Sequence, residues 1–419
     1  MKRFAMLSLA LALTSSTVAL AQKPVEIEFW TFYLSPKFDD YINGVIKAFE
    51  AQNPGIKVKY VDKQATLEQE LISSINLGNA PDVVNLWSDS TWAGADNNLL
   101  LPMTDLVGRS ELTRLYHANP LSNFEANGKV YGLPWYGSLD AGVMSYNTDL
   151  FKKAGITKLP TTTTELVAAA KAVKDKTGAY GWAPAIKDPN GASFLGTFVF
   201  EGLPIVQGGK AVFNSPAHAK LLQTYVDLYK QDYIPQELLR KEAFQLSTEL
   251  YAQGKLATII GGPQALTRIR DNNKEIYGKT AVVNAPLGAG KVQPGSGMDL
   301  VIPRASKHPK EALAFAKFMT NRANQVAFAK VVPVIPTAKG AETDPFFAKA
   351  KGSKDPIERA TGLVGASGAS IKYAIPNVGK TDDLFKNFND NIEAAFLGRK
   401  TAQQALNDSV EFWNKNMKK

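Results

Sequence analysis

The sequence predicts an α/β protein with parallel β-sheet, divided into two domains. Three observations predict it. Strand-like and helix-like stretches alternate from Val25 to Trp87, the pattern of βαβ units. The chain has 419 residues, more than one compact core holds, so two domains of about 100–200 residues each are expected. No repeat of fixed period is visible, which removes solenoids and propellers.

The first 21 residues form a separate unit. Lys2 and Arg3 make a basic start, Phe4 to Leu13 is an almost unbroken apolar run, and Ala19-Leu20-Ala21 is a small-x-small cleavage site. This is the pattern of a secretory signal peptide cleaved after Ala21, with an apolar run too short to span a bilayer. A soluble mature chain is expected. The sequence has no cysteine, so neither disulfides nor a lipid-anchoring cysteine is expected, which favours a periplasmic location.

Val25 to Trp30 alternates apolar and polar residues in the period of a strand. Ser35-Pro36 reads as an N-cap with proline at the first helical position. Phe38, Tyr41, Ile42, Val45 and Phe49 then fall on one helical face, ended by Asn53-Pro54-Gly55. Ile56, Val58 and Tyr60 alternate in the next strand. Thr66 with Gln69 reads as a capping box for a helix closed by Gly78, and Asp82 to Trp87 is a short buried strand. Ligands of such sheets sit outside the carboxyl ends of the strands. That puts Phe32-Tyr33 and Ser88-Asp89 at one edge, with Trp30, Trp87 and Trp92 nearby.

From Lys129 to Asn147, glycine, proline and two aromatics (Gly132, Pro134, Trp135, Tyr136, Gly137) sit between strand-like ends, followed by Asp140. The composition predicts a change of direction at a crossing between lobes, with Trp135, Tyr136 and Asp140 on a cleft wall. Beyond it the pattern restarts. Thr162 and Glu165 suggest a capped helix, Tyr180 to Ile186 a strand, and Asp188-Pro189-Asn190-Gly191 a polar turn. Ser215-Pro216 opens a long helix. Leu256 to Ile260 is a strand broken by Gly261-Gly262-Pro263. Further strands are expected at Thr280–Asn284 and Asp299–Ile302. Pro309 opens another helix, and Asp382 to Trp413 is largely helical, interrupted at Gly398.

The chain carries 48 Lys and Arg against 39 Asp and Glu, a net charge of +9. The lysines are scattered, and export argues against nucleic acid as a partner. Three histidines and no cysteine leave little for metal coordination or nucleophilic catalysis. Neither a phosphate-binding loop nor a Gly-x-Ser-x-Gly elbow is present. No cofactor, no metal and no catalytic step are expected. A glycosidase needs two carboxyl groups about 5–9.5 Å apart, and none of the acids is singled out as a pair. What remains is aromatic and short polar side chains at strand ends, suited to stacking on sugar rings and bonding their hydroxyls.

Several segments, in order and at matching spacing, resemble the extracellular solute-binding proteins of family 1, which include maltose-binding protein. They are Phe49-Glu-Ala-Gln-Asn-Pro-Gly-Ile-Lys-Val58, Asn79-Ala-Pro-Asp-Val-Val84, Asn97-Asn-Leu-Leu-Leu-Pro102, Tyr131-Gly-Leu-Pro-Trp135, Tyr146-Asn-Thr-Asp-Leu-Phe-Lys-Lys-Ala-Gly155 and Tyr251-Ala-Gln-Gly-Lys-Leu-Ala257. The resemblance implies a two-lobed type II binding-protein fold whose lobes are discontinuous and joined by crossing hinge segments. The boundaries it implies are 22–137 with 285–323, and 138–284 with 324–419. It further implies a monomer that captures a carbohydrate, an oligosaccharide first, and delivers it to the membrane permease of an ABC importer. Glycerol-3-phosphate or a glycerophosphodiester is the alternative ligand, and a secreted glycan-active enzyme the alternative class.

The cleft residues carried over are Asp89, Asp140, Asp188 and Phe385, with Ser90, Asn190 and Gln264 standing where the relative has an arginine, an aromatic and a tryptophan. Tyr33, Trp92, Trp135 and Tyr136 offer aromatics elsewhere. Ser88, Gly262 and Met298 complete the expected ligand-contacting set.

Overall fold

The computed structural model describes residues 23–63, 66–139, 142–186, 193–291, 293–373, 377–379 and 381–417. The expected signal peptide, Asp140, Asp188 and Asn190 lie outside the described residues.

Two sheets organise two α/β lobes. The larger has seven strands. Val25–Thr31 lies between Ile56–Asp62 and Val83–Trp87 and runs parallel to both. Gln293–Val301 adds antiparallel to Val83–Trp87, and Gly132–Leu139 adds antiparallel to Gln293–Val301. The short strands Ile335–Pro336 and Ile371–Lys372 finish the crossing side. The alternation expected of a half-buried strand is present: Lys57 and Lys59 are exposed, while Ile56, Val58 and Tyr60 turn inward. The helix Asp39–Gln52 buries Ile42, Val45, Ile46 and Phe49 against this sheet. The second sheet has four strands in the order Thr280–Asn284, Val143–Asn147, Leu256–Gly261 and Tyr180–Trp182. One apolar cluster around Phe194, Phe198, Leu222, Phe388 and Trp413 packs the helical part of this lobe.

The segment Gly132–Leu139 is one continuous eight-residue strand and does not turn as its composition suggested. Packing explains both the glycine and the proline. A Cβ on Gly132 would lie 1.6 Å from Asp299 Oδ2, and one on Gly137 would lie 2.5 Å from Ile371 Cδ1. The register shifts between Met298 and Asp299, whose partners are Tyr136 and Pro134. Trp135 is therefore the extra residue of a bulge, a place where a proline lacking its N–H is tolerated.

The chain leaves the first sheet after Leu139 and enters the second at Val143, then returns between Asn284 and Gln293. The boundary expected at 324 falls inside the helix Arg322–Val331. Phe328 of that helix stacks on Trp135 in the first-lobe core, with ring centroids 5.3 Å apart. The last crossing therefore lies beyond that helix.

Two expected caps are absent. The first helix starts at Asp39, because the Ser35 hydroxyl donates to Asp39 Oδ2 at 2.9 Å instead of capping a backbone N–H. The Thr66 hydroxyl donates to Lys63 O and to Glu70 Oε1, which leaves the helix Leu67–Asn76 without a side-chain cap. Thr162 does cap the helix Thr163–Thr177, accepting from the Glu165 N–H. Lys158, with the N–H and hydroxyl of Thr161, holds the Glu165 carboxyl down to about 2.

Candidate functional site

Both lobes present strand carboxyl ends to the region where the chain crosses, and two adjoining cavities lie there. Ser138, Leu139, Gly262 and Gln264 line both. The first cavity, of about 570 Å³, lies between Lys37 and the segment Val332–Ile335 on one side and the helix Pro263–Asn272 on the other. The second, of about 400 Å³, lies over the second-lobe sheet and is walled by Trp182, Phe200, Tyr225 and Phe244. Such volumes suit a small ligand. Polar groups interrupt these walls. The buried Thr163 Oγ1, without a partner among the described residues, belongs to the second cavity's lining, as do Glu242 and Ser247.

The local sequence explains the placement. Gly261-Gly262-Pro263 ends the strand Leu256–Gly261 and starts a helix with proline in its first turn. Helical spacing then puts Gln264, Thr267, Arg268 and Asp271 on the face that lines the first cavity. The Gln264 side chain folds back over Gly262, where a Cβ would lie 2.2 Å from its Oε1. Arg268 lies over the Phe244 ring, 5.0 Å from its centroid. Across the cavity, Lys37 follows the carboxyl end of the strand Val25–Thr31. The Glu242 carboxylate accepts from the N–H groups of Phe244 and Gln245 at 2.7 and 2.8 Å, capping its own helix.

The expected site residues separate into three groups. Gly262 and Gln264 line the cavities. Tyr33, Ser88 and Asp89 stand at neighbouring strand ends of the first lobe. Tyr33 is 54% exposed and edge-on to Phe32. The Asp89 carboxylate accepts from the Ser90 N–H, and the buried Ser88 hydroxyl donates to Gly297 O at 3.3 Å. The third group is packed away. Trp135 is 0% exposed and contacts Phe29 and Phe328, so it is a core residue and cannot stack on a ligand in this arrangement. Trp92 and Met298 are buried as well, Trp92 edge-on to Tyr373 at 5.2 Å. The Tyr136 hydroxyl donates to Met298 Sδ at 2.7 Å, and burial pushes its phenol pKa up. Phe385 packs on the second-lobe helical cluster, 6.2 Å from Trp413.

Sequence reasoning missed Lys37, Trp182, Phe244 and Arg268. One signal was available for Arg268, which is one helical turn past Gln264 and so shares its face. Trp182 closes the strand Tyr180–Trp182, again a carboxyl strand end. Among the described residues no group of three or more His, Cys, Asp or Glu is placed to hold a metal, and no helix is long and apolar enough to cross a membrane.

Two α/β lobes, discontinuous in sequence, with cavities at the strand ends where they meet, define a solute-binding protein. The chain belongs to the bacterial extracellular solute-binding protein family, whose model matches residues 44–355. Among curated relatives it is similar to the diacetylchitobiose-binding protein DasA of Streptomyces coelicolor, 28% identical over 321 residues, spanning 73% of this chain and 72% of the relative. It is also similar to the maltodextrin-binding protein MdxE of Bacillus subtilis, 23% identical, spanning 93% and 90%. Among solved structures it matches one from Synechococcus sp. MITs9220, assigned as an oligosaccharide periplasmic-binding protein. That match has a TM-score of 0.79 at 26% identity and covers 93% of this chain and 98% of that one. The sugar-binding protein MalE of Xanthomonas citri shares the fold at a TM-score of 0.77 and 20% identity, covering 93% and 97%.

Proposed function

We propose that this chain is a periplasmic carbohydrate receptor that captures its ligand between the lobes and hands it to the permease of an ABC importer. The observation that carries this reading is the pair of cavities sharing Ser138, Leu139, Gly262 and Gln264, with Trp182 and Phe244 on one wall. An aromatic face stacks on the apolar face of a sugar ring, while amide and hydroxyl side chains bond its hydroxyls. The names of the relatives, which refer to diacetylchitobiose and maltodextrin, support the same ligand class. Closure about the crossing segments traps the sugar, and the closed form is the one the permease recognises. The cleaved leader, the monomeric state and the absence of turnover belong to the same proposal.

Calorimetric titration of the purified chain with mono-, di- and oligosaccharides tests it. The expected result is one-to-one binding without chemical change of the sugar, weakened about tenfold or more by Trp182→Ala. Release of cleaved sugar would make the chain an enzyme. Binding untouched by Trp182→Ala and by Gln264→Ala would put the ligand elsewhere.

A further inference from the structure

The carbohydrate reading leaves the charge of the first cavity unexplained. Lys37 stands on its first-lobe side and Arg268 on its second-lobe side. Each lies against an aromatic ring, Lys37 at 5.3 Å from the Phe38 centroid and Arg268 at 5.0 Å from that of Phe244. Neither has a carboxylate within ion-pair distance among the described residues. The acids nearby are engaged elsewhere. The Arg270 Nε–H donates to Asp271 Oδ1 at 3.2 Å, and Glu242 caps its own helix with both oxygens. Glu249 is attracted to Arg268 through space, but its carboxylate accepts from Gln245 at 2.8 Å and pairs with Lys241 at 3.3 Å. The facing wall is apolar, made by Val332, Pro333, Val334, Ile335 and Val364.

Closure over a neutral sugar would bring two cations into a drier space with only partial countercharge, from Asp271 and from Glu249, whose carboxylate is already shared, which costs free energy. An anionic group on the ligand removes that cost. It would gain charge-assisted hydrogen bonds from the planar guanidinium, whose face rests on Phe244 while its N–H edge stays free to bond. The apolar wall would take the C–H face of the ring. We propose that this site, if it is the carbohydrate site argued above, selects a ligand bearing an anionic group, a sugar carboxylate or a phosphate. Arg268 is its principal anchor and Lys37 the second.

The test is calorimetric titration of the full mature chain with three probes: a galacturonate dimer, the neutral galactose dimer of the same linkage, and glycerol-3-phosphate. The expected result is at least about tenfold tighter binding of one anionic probe than of the neutral dimer, weakening as salt rises. Which anionic probe binds tells carboxylate from phosphate. Arg268→Gln should abolish the preference, Lys37→Gln should reduce it, and Arg268→Lys should keep part of it, because it retains the charge but not the fork. Both positions are exposed at the surface of folded lobes, so the variants should keep the wild-type melting temperature. A neutral dimer bound as tightly as the acidic one overturns the anionic assignment and leaves the carbohydrate receptor intact. An anionic preference that survives Arg268→Gln and Lys37→Gln together overturns the residue assignment. No binding of any probe overturns the anionic proposal, and the saccharide titrations above then decide the receptor reading separately.

Discussion

At the scale of single residues, burial separates what looks like a ligand contact from what holds the fold. Trp135 stacks on Phe328 with planes 16° apart and meets Phe29 edge-on. Trp135→Ala should destabilise the protein by about 3–5 kcal/mol, measured by urea unfolding, while any folded variant keeps most of its sugar affinity. A second buried residue sets a pH dependence. Asp299 is fully buried, with Thr91 Oγ1 donating to its carboxylate at 2.9 and 3.1 Å, and burial raises its pKa well above the usual carboxylate value. The folded state thus holds a proton that the unfolded chain releases near pH 4. The stability from this group is full below that pH and is lost as pH rises through the raised folded value. Asp299→Asn should raise the melting temperature at pH 7 and do little at pH 3, as seen in thermal unfolding at the two pH values. Trp135 was misread because an aromatic beside glycine and proline looks like a loop. Nothing in the sequence says that the bulge opposite Asp299 turns the indole inward.

At the scale of elements, the return crossing is fastened to the second lobe before it reaches the first sheet. The Gly290 N–H donates to Phe200 O at 3.0 Å, the Ala289 N–H to Glu201 Oε2 at 3.1 Å, and the Leu287 N–H to Thr161 O at 3.0 Å. The backbones meet so closely that a Cβ on Gly290 would lie 2.6 Å from Gly202 N, and one on Gly288 would lie 2.3 Å from Phe200 O. Gly290→Ala should therefore cost about 1–3 kcal/mol. Gly44→Ala, in the helix Asp39–Gln52 where a Cβ meets nothing within 4 Å, should instead stabilise by up to about 1 kcal/mol. Thermal unfolding of the two variants side by side checks both signs. Helices and strands with clear period were legible: Asp39–Gln52, Ile56–Asp62 and Pro309–Met319 follow their patterns. Caps were legible only in part: Thr162 caps as expected, whereas Ser35 and Thr66 spend their hydroxyls on neighbouring carboxylates, a choice that depends on rotamers.

At the scale of the whole molecule, the alternation of strands and helices and the family resemblance made the two-lobed fold legible. The cavity walls were only partly so. The family resemblance pointed to Gln264, with Gly262 beside it in the expected set, but Lys37, Trp182, Phe244 and Arg268 converge from four separate segments, and convergence is a property of the fold. If the lobes close on a ligand, small-angle scattering should show a smaller radius of gyration with bound sugar, and no change with a sugar that fails to bind. The central claim, that a carbohydrate sits in the cavities between the lobes, is tested most directly by titrating a saccharide panel into the wild-type chain and Trp182→Ala in parallel. The account predicts one-to-one binding by the wild type, at least about tenfold weaker in the variant at an unchanged fold. Equal affinity in both, or no saccharide bound by the wild type, would contradict it.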